Sequence, residues 1–250
     1  MKRAAITIVH NGYRHLIHRK FAEFMAANFD HWVVVEGFAK IRHIGRGQVV
    51  LPSSTDGTIE FMKEFSKAND NVTFYSHSRP FKSKDEQTNK AVMLLKRHFN
   101  QAYLWQVDVD EQWNSEDLSK AEQILTDSRR KQASFQFNHF VGDGIIAVGD
   151  WGSDFVNRLF IWRGQRFITH IPARMYSNNL TLKIEGIKYN HYSYIFAEDV
   201  QFKEDRYIGY KGLKDKWDEL QSVDKFPVPI STLFPDTCEV SKGNTQIIRI

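Results

Sequence analysis

Tyr103-Leu104-Trp105-Gln106-Val107-Asp108-Val109-Asp110-Glu111 decides the reading of this 250-residue chain. An apolar run ends abruptly in three carboxylates. The pattern predicts a buried strand whose last residues leave the core. Side chains alternate along a strand, so Asp108 and Asp110 are expected to aim at one point while Val109 turns inward. Two hard oxygen ligands suit Mg2+ or Mn2+, and either cation can hold a diphosphate.

The flanking sequence sets this strand in a repeating pattern. Strands are predicted over residues 5–9, 31–36, 72–75 and 102–107. Between them apolar residues recur at helical spacing: Ile17, Phe21, Phe24 and Met25, then Ile59, Met62 and Phe65, then Ala91, Leu94, Leu95 and Phe99. Strands alternating with helices predict an α/β fold with a parallel, doubly wound sheet. Ligands bind such sheets at the carboxyl ends of the strands. His10 and Asn11, Glu36, and Asp108 with Asp110 all fall at such ends. Their convergence is a stronger signal than any one of them.

The second half changes style. Asn114 reads as the N-cap of a helix from 115 to about 127. Alternating patterns over 133–137, 145–148, 158–162 and 183–189 predict antiparallel or mixed strands, and helices follow over 198–207 and 213–220. From 223 the chain, with Pro227, Pro229 and Pro235, reads as an irregular tail. The expected organisation is one catalytic domain over 1–222, with a nucleotide-binding half to 112 and an acceptor half over 113–222. The tail spans 223–250.

Composition narrows the class. A hydrophobic fraction of 42% with 26% charged residues is that of a soluble globular protein. A net charge of +4 fits a small anionic ligand. No nucleic-acid-binding motif is present, so a nucleic-acid partner is not expected. The basic clusters Arg42, His43 and Arg46, and Arg129 to Lys131, read as solvated surface. The single Cys238 permits neither a disulfide framework nor a thiolate metal site within one chain, which favours a reducing, cytoplasmic setting. No apolar run approaches the ~20 residues of a membrane span. A lipid-borne acceptor would therefore be met peripherally, at the membrane surface.

Other residues carry two readings. Asp56, in Ser54-Thr55-Asp56-Gly57-Thr58, can contact a base or ribose, or cap a helix. His191, in Tyr189-Asn190-His191-Tyr192-Ser193-Tyr194, can complete a metal shell, though a lone histidine is more often a packing residue. Asp150 and Asp154 lie in a glycine-rich stretch over 142–155. Either can take a proton from an acceptor, although surface carboxylates are commoner. Walker-type phosphate loops, dinucleotide glycine fingerprints and zinc-protease helices are absent.

Taken in order, the motifs resemble those of family-two glycosyltransferases of the GT-A fold, over roughly residues 4–210. Residues 29–36 look like that family's second strand with its terminal acid. Ser54 to Thr58 matches its Ser-Thr-Asp-Gly-Thr motif. Gln87-Thr88-Asn89-Lys90-Ala91 resembles its Ala-Arg-Asn segment, keeping Asn89. Residues 104–111 match its Asp-x-Asp-Glu strand end. Arg158-Leu159-Phe160, Gly164, His170 and the run around His191, with Lys203, Arg206 and Tyr207, resemble one branch of it. Two departures stand out. Phe38 to Pro52 separates Glu36 from Ser54, and the first strand ends in His10-Asn11 instead of Asn-Glu.

The resemblance implies a Rossmann-like sandwich. Its central sheet would be mostly parallel, with helices on both faces and a smaller mixed or antiparallel sheet on the acceptor side. It implies a UDP- or GDP-sugar donor, contacted by His10, Asn11, Glu36, Asp56, Asn89 and Asp108. It implies Mn2+ or Mg2+ on Asp108, Asp110 and His191, and inversion at the transferred carbon by a carboxylate base; no motif aligns that base, and Asp154 and Asp150 are its candidates. The acceptor would be a glycan, a lipid-linked group or a protein. A nucleotidyltransferase or sugar-nucleotide pyrophosphorylase is the near alternative, but residues 10–16 offer only Gly12 and Arg14 toward a phosphate loop. A non-catalytic carbohydrate-binding relative is the other.

Overall fold

The computed structural model describes residues 1–40, 51–151, 154–170, 173–207, 209–235, 238 and 244–250, leaving Arg42, His43 and Arg46 outside the described residues. Its first half alternates as expected: β1 (Arg3–Val9), α1 (Tyr13–Ile17), α2 (Phe21–Asn28), β2 (His31–Glu36), α3 (Thr58–Ala68), β3 (Val72–Ser76), α4 (Lys84–Leu95) and β4 (Ala102–Gln106). The second half adds β5 (Glu111–Gln112), α5 (Ser115–Asp127), β6 (Gln132–Gly142), β7 (Ile145–Gly149), β8 (Val156–Trp162), β9 (Thr169–His170), β10 (Ala173–Arg174), β11 (Thr181–His191), α6 (Ala197–Arg206), α7 (Leu213–Gln221), β12 (Val228–Pro229) and β13 (Thr245–Arg249).

β3, β2, β1 and β4 lie side by side and parallel. β2 shows why. His31 to Glu36 is buried on both faces, with Trp32 and Val34 in one core layer and Val33 and Val35 in the other. Such a strand has no solvent face and needs helices on both sides. Met62 of α3 and Leu118 of α5 fill the first layer, and Ala91, Val92 and Leu95 of α4 fill the second.

Past β4 the sheet continues as β8, β6, β7, β13 and β12, each antiparallel to its neighbour. The mixed strands of the second half therefore extend the central sheet; among the described residues, only the β9–β10 pair stands apart from it. Thr245–Arg249, within the stretch read as an irregular tail, pairs with β7 along its whole length. Its Ile247 joins Trp217 and Leu220 of α7 in a third apolar layer. The prolines hid this strand because they cluster before it.

A second difference concerns the first helix. The periodicity of Ile17, Phe21, Phe24 and Met25 predicts one continuous helix. The chain instead breaks over His18–Lys20, where Arg19 and Lys20 take positive φ. The break separates His15 from Phe21, Ala22 and Met25, which pack into the core. Among the described residues, no helix is long and apolar enough to cross a membrane.

Candidate active site

The carboxyl ends of β1, β2 and β4 open into a cleft of about 460 Å3. Its floor is His10, Asn11 and Gly12 after β1, Gly37 to Ala39 after β2, and Asp108 to Asp110 after β4. His139 of β6, His191 of β11, and Asp199, Phe202 and Lys203 of α6 line it as well.

β4 ends at Gln106, before the carboxylates. The backbone N–H of Glu111 donates to the Asp108 carbonyl at 3.0 Å, so Asp108–Glu111 is a tight turn. Asp108 and Asp110 therefore reach the cleft from a turn and not by strand alternation. β5 then pairs antiparallel with the end of β11, setting Glu111 opposite His191, and Tyr192 N–H donates to the Asp110 carbonyl. This pairing brings residues 80 positions apart together. His191 Nε2 lies 3.3 Å from Asp110 Oδ2.

Burial works against the charge on Asp110, and His191 outweighs it, holding the carboxyl well below the usual carboxylate range. Burial likewise lowers His191, and Asp110 reverses this, raising the imidazole above its ordinary value. The His191 ring stacks on His139, 4.7 Å between centroids. His139 Nε2 meets Ser193 Oγ, and burial, with His191 and Lys203 nearby, pushes His139 well down.

Asp108 turns the other way. Arg158 of β8 donates to Asp108 Oδ2 at 3.0 Å and to Glu111 Oε1 at 2.8 Å through Nε. The guanidinium also lies over the Tyr189 ring. Burial pushes the Glu111 carboxyl up to about 7, and Arg158 limits that rise. Glu111 is thus a buried brace under the turn. Among the described residues, no three carboxylate, imidazole or thiol groups converge closely enough to hold a metal by themselves. Asp110 and His191 are the pair that meets.

The residues expected to contact the nucleoside have hydrogen-bond partners within the chain. Glu36 is fully buried: Oε1 accepts from Ser54 N–H at 2.7 Å and Ser54 Oγ at 2.8 Å, and Oε2 accepts from Ser76 Oγ. The insertion after Glu36 does not break this link, because Phe38 N–H bonds the Pro52 carbonyl and returns the chain to the strand end. Asp56 accepts from Tyr13 N–H with one oxygen and from Thr58 N–H and Oγ1 with the other. Asn11 Oδ1 accepts from Thr55 N–H, and Ser54 Oγ accepts from Asn11 N–H. The Ser54–Thr58 segment is therefore a buttress for the loop after β1, which itself lines the cleft. Gly12 is needed there, since a Cβ would fall 2.3 Å from Val9 Cγ2. Asn89 lies away from the cleft lining and pairs with both backbone groups of Phe167. His10 lines the cleft with Nε2 3.1 Å from the Leu51 carbonyl.

Neither expected base is among the described residues lining the cleft. Asp150 Oδ2 accepts from Asn244 N–H, and Asp154 is exposed. The cleft also holds His15, His139 and Asp199, which the sequence does not single out, and Lys203, named there only within a family resemblance. Asp199 and Lys203 are four apart on α6, a spacing that places them on one helix face. The two histidines had no such signal, since their position depends on strand register.

The sequence matches no protein-family model and no curated protein. It is similar in structure to TarS 1–349 from S. aureus in complex with UDP-GlcNAc, at 14% identity over 87% of this chain and 70% of that chain, TM-score 0.49. For the UDP complex of TarS 1–349 the identity is 16% over 56% of this chain and 36% of that chain, TM-score 0.38. The chain spans 42% of a longer S. aureus TarS structure. The 2-C-methyl-D-erythritol 4-phosphate cytidylyltransferase of Francisella tularensis is similar at 10% identity over 64% of this chain and 67% of that chain, TM-score 0.35.

Proposed function

We propose that this chain is a metal-dependent glycosyltransferase that moves a sugar from a nucleoside diphosphate sugar to an acceptor hydroxyl with inversion. The observation that carries this reading is the Asp110–His191 pair, set beside Asp108 in a cleft at the carboxyl ends of parallel strands. One carboxylate and one imidazole suit Mn2+ better than Mg2+. Two protein ligands suffice for a cation that takes its other oxygens from substrate phosphates and water. Asp110 and His191 would hold the ion. When bound, it supplies Lewis-acid neutralisation of the departing diphosphate.

The chain's own residues do the rest. Arg158 keeps Asp108 and Glu111 in one arrangement, so the turn is set before the donor arrives. Lys203 and Lys84 line the cleft and bring positive charge to it. Trp151, Tyr194, Tyr207 and Tyr210 line the same cleft and offer apolar faces to the C–H face of a sugar acceptor.

The test is a panel of UDP- and GDP-sugars with Mn2+, read as released nucleoside diphosphate. Pyrophosphate released from a nucleoside triphosphate and a sugar phosphate would instead establish a nucleotidyltransferase. Binding of sugars with no turnover in either assay would establish a non-catalytic carbohydrate-binding protein.

A further inference from the structure

Inverting transfer needs a group that takes the acceptor proton, and three carboxylates line the cleft among the described residues: Asp108, Asp110 and Asp199. Asp108 is committed to Arg158 and Asp110 to His191. Asp199 stands at the start of α6 and lines the same cleft. Among the described residues its side chain pairs with His15, whose Nε2 lies 2.6 Å from Asp199 Oδ2.

The two members of this pair are not equivalent. The Asp199 side chain is 28% exposed and that of His15 only 8%. His15 Nδ1 is buried without a hydrogen-bond partner. With Nε2 facing the carboxylate and Nδ1 closed off, His15 has no ring nitrogen left for a substrate. It donates to Asp199 and fixes the carboxylate's orientation. Charged and titratable groups around the pair include Arg14, which bonds Glu198, His18, Lys203 one helical turn further along α6, and Asp110. Lys203 feels the charge of both Asp110 and Asp199.

We propose that Asp199, held by His15, is the proton acceptor for the incoming hydroxyl, a role that rests on the glycosyltransferase reading. The acceptor O–H proton passes to the Asp199 carboxylate. The oxygen's electron pair forms the new bond to the anomeric carbon. The bond from that carbon to the phosphate oxygen breaks, and its electrons leave with the nucleoside diphosphate.

The experiment uses the full chain, Mn2+ and whichever UDP- or GDP-sugar the wild type hydrolyses, with water as the acceptor. Asp199→Asn should lower kcat at least 100-fold, within the range for loss of a general base. Its donor KM and its Tm shift with nucleoside diphosphate and Mn2+ should stay near those of the wild type, which also shows the cleft is folded. Asp199→Glu should recover part of kcat. Sodium azide supplies a nucleophile with no proton to lose. It should restore release of nucleoside diphosphate in Asp199→Asn at least tenfold, with a glycosyl azide as product. Turnover of Asp199→Asn within threefold of wild type, or no response to azide, overturns the proposal. If the wild type cleaves no sugar nucleotide, the glycosyltransferase reading fails and this role falls with it.

Discussion

Arg158 and Glu111 form a buried ion pair, 2.6 Å apart at closest approach, beneath the turn that carries Asp108 and Asp110. The Glu111 side chain has no exposure, and that of Arg158 is 9% exposed. Removing one partner from such a pair leaves an uncompensated buried charge and costs about 3–5 kcal/mol. Glu111→Ala should therefore lose stability of that order in urea denaturation. Glu111→Gln should lose less, because its amide oxygen still accepts from Arg158 Nε. A loss below about 1 kcal/mol for the alanine variant would show that Asp108 alone compensates Arg158.

Glu36 supports a second prediction. Its carboxylate accepts three hydrogen bonds, two of them from Ser54. In Glu36→Gln one oxygen becomes an NH2 group and faces a donor. The cost should be about 2 kcal/mol, the range for leaving a buried polar group unsatisfied. The buttress under His10 and Asn11 should loosen with it, raising donor KM more than it lowers kcat. A variant with wild-type stability would mean that Ser54 or Ser76 turns its hydroxyl to accept instead.

These two acids show what the sequence could carry. Strand identity was legible because apolar runs such as Trp32 to Val35 have one physical use, burial on both faces. The Asn114 cap was legible because its bond is local: Asn114 Oδ1 accepts from Glu116 N–H at 2.8 Å. Glu36 was placed correctly at a strand end, yet its partners are Ser54 and Ser76, and nothing in linear spacing distinguishes them from a nucleoside. The meeting of Asp110 with His191 rests on the register of β5 against β11. Register is set by the whole sheet, so it is not written in either motif.

The Asp110–His191 pair supports a third prediction. A ligand at 100 times its Kd stabilises the native state by about 2.7 kcal/mol, which for a chain of this size raises Tm by roughly 5–10 °C. Nucleoside diphosphate with Mn2+ should produce such a rise in the wild type. Asp110→Ala and His191→Ala should each abolish the Mn2+-dependent part. A full shift surviving in both variants would place the cation elsewhere. Asp108→Asn, whose carboxylate already serves Arg158, should keep more of the shift than Asp110→Ala.

A fourth prediction concerns pH and lies far from the cleft. His31 is buried at the start of β2, stacked on His98 with 3.6 Å between centroids, and its Nε2 meets Thr73 Oγ1 at 2.8 Å. Burial first, and then the neighbouring His98, pushes it down to about 4 from its ordinary 6.5. Between those values the unfolded chain binds a proton that the native state refuses. Stability from this group is therefore complete above pH 6.5 and is lost as pH falls toward about 4. Burial also pushes His170 down to about 4, so it adds to the same window. Urea midpoints at pH 7, 5.5 and 4.5 should fall in that order. His31→Asn, which cannot titrate, should flatten the decline while lowering the value at pH 7 through the lost stacking. An equally steep decline in the variant would mean that His31 is protonated in the native state and that Thr73 and His98 hold it in that form.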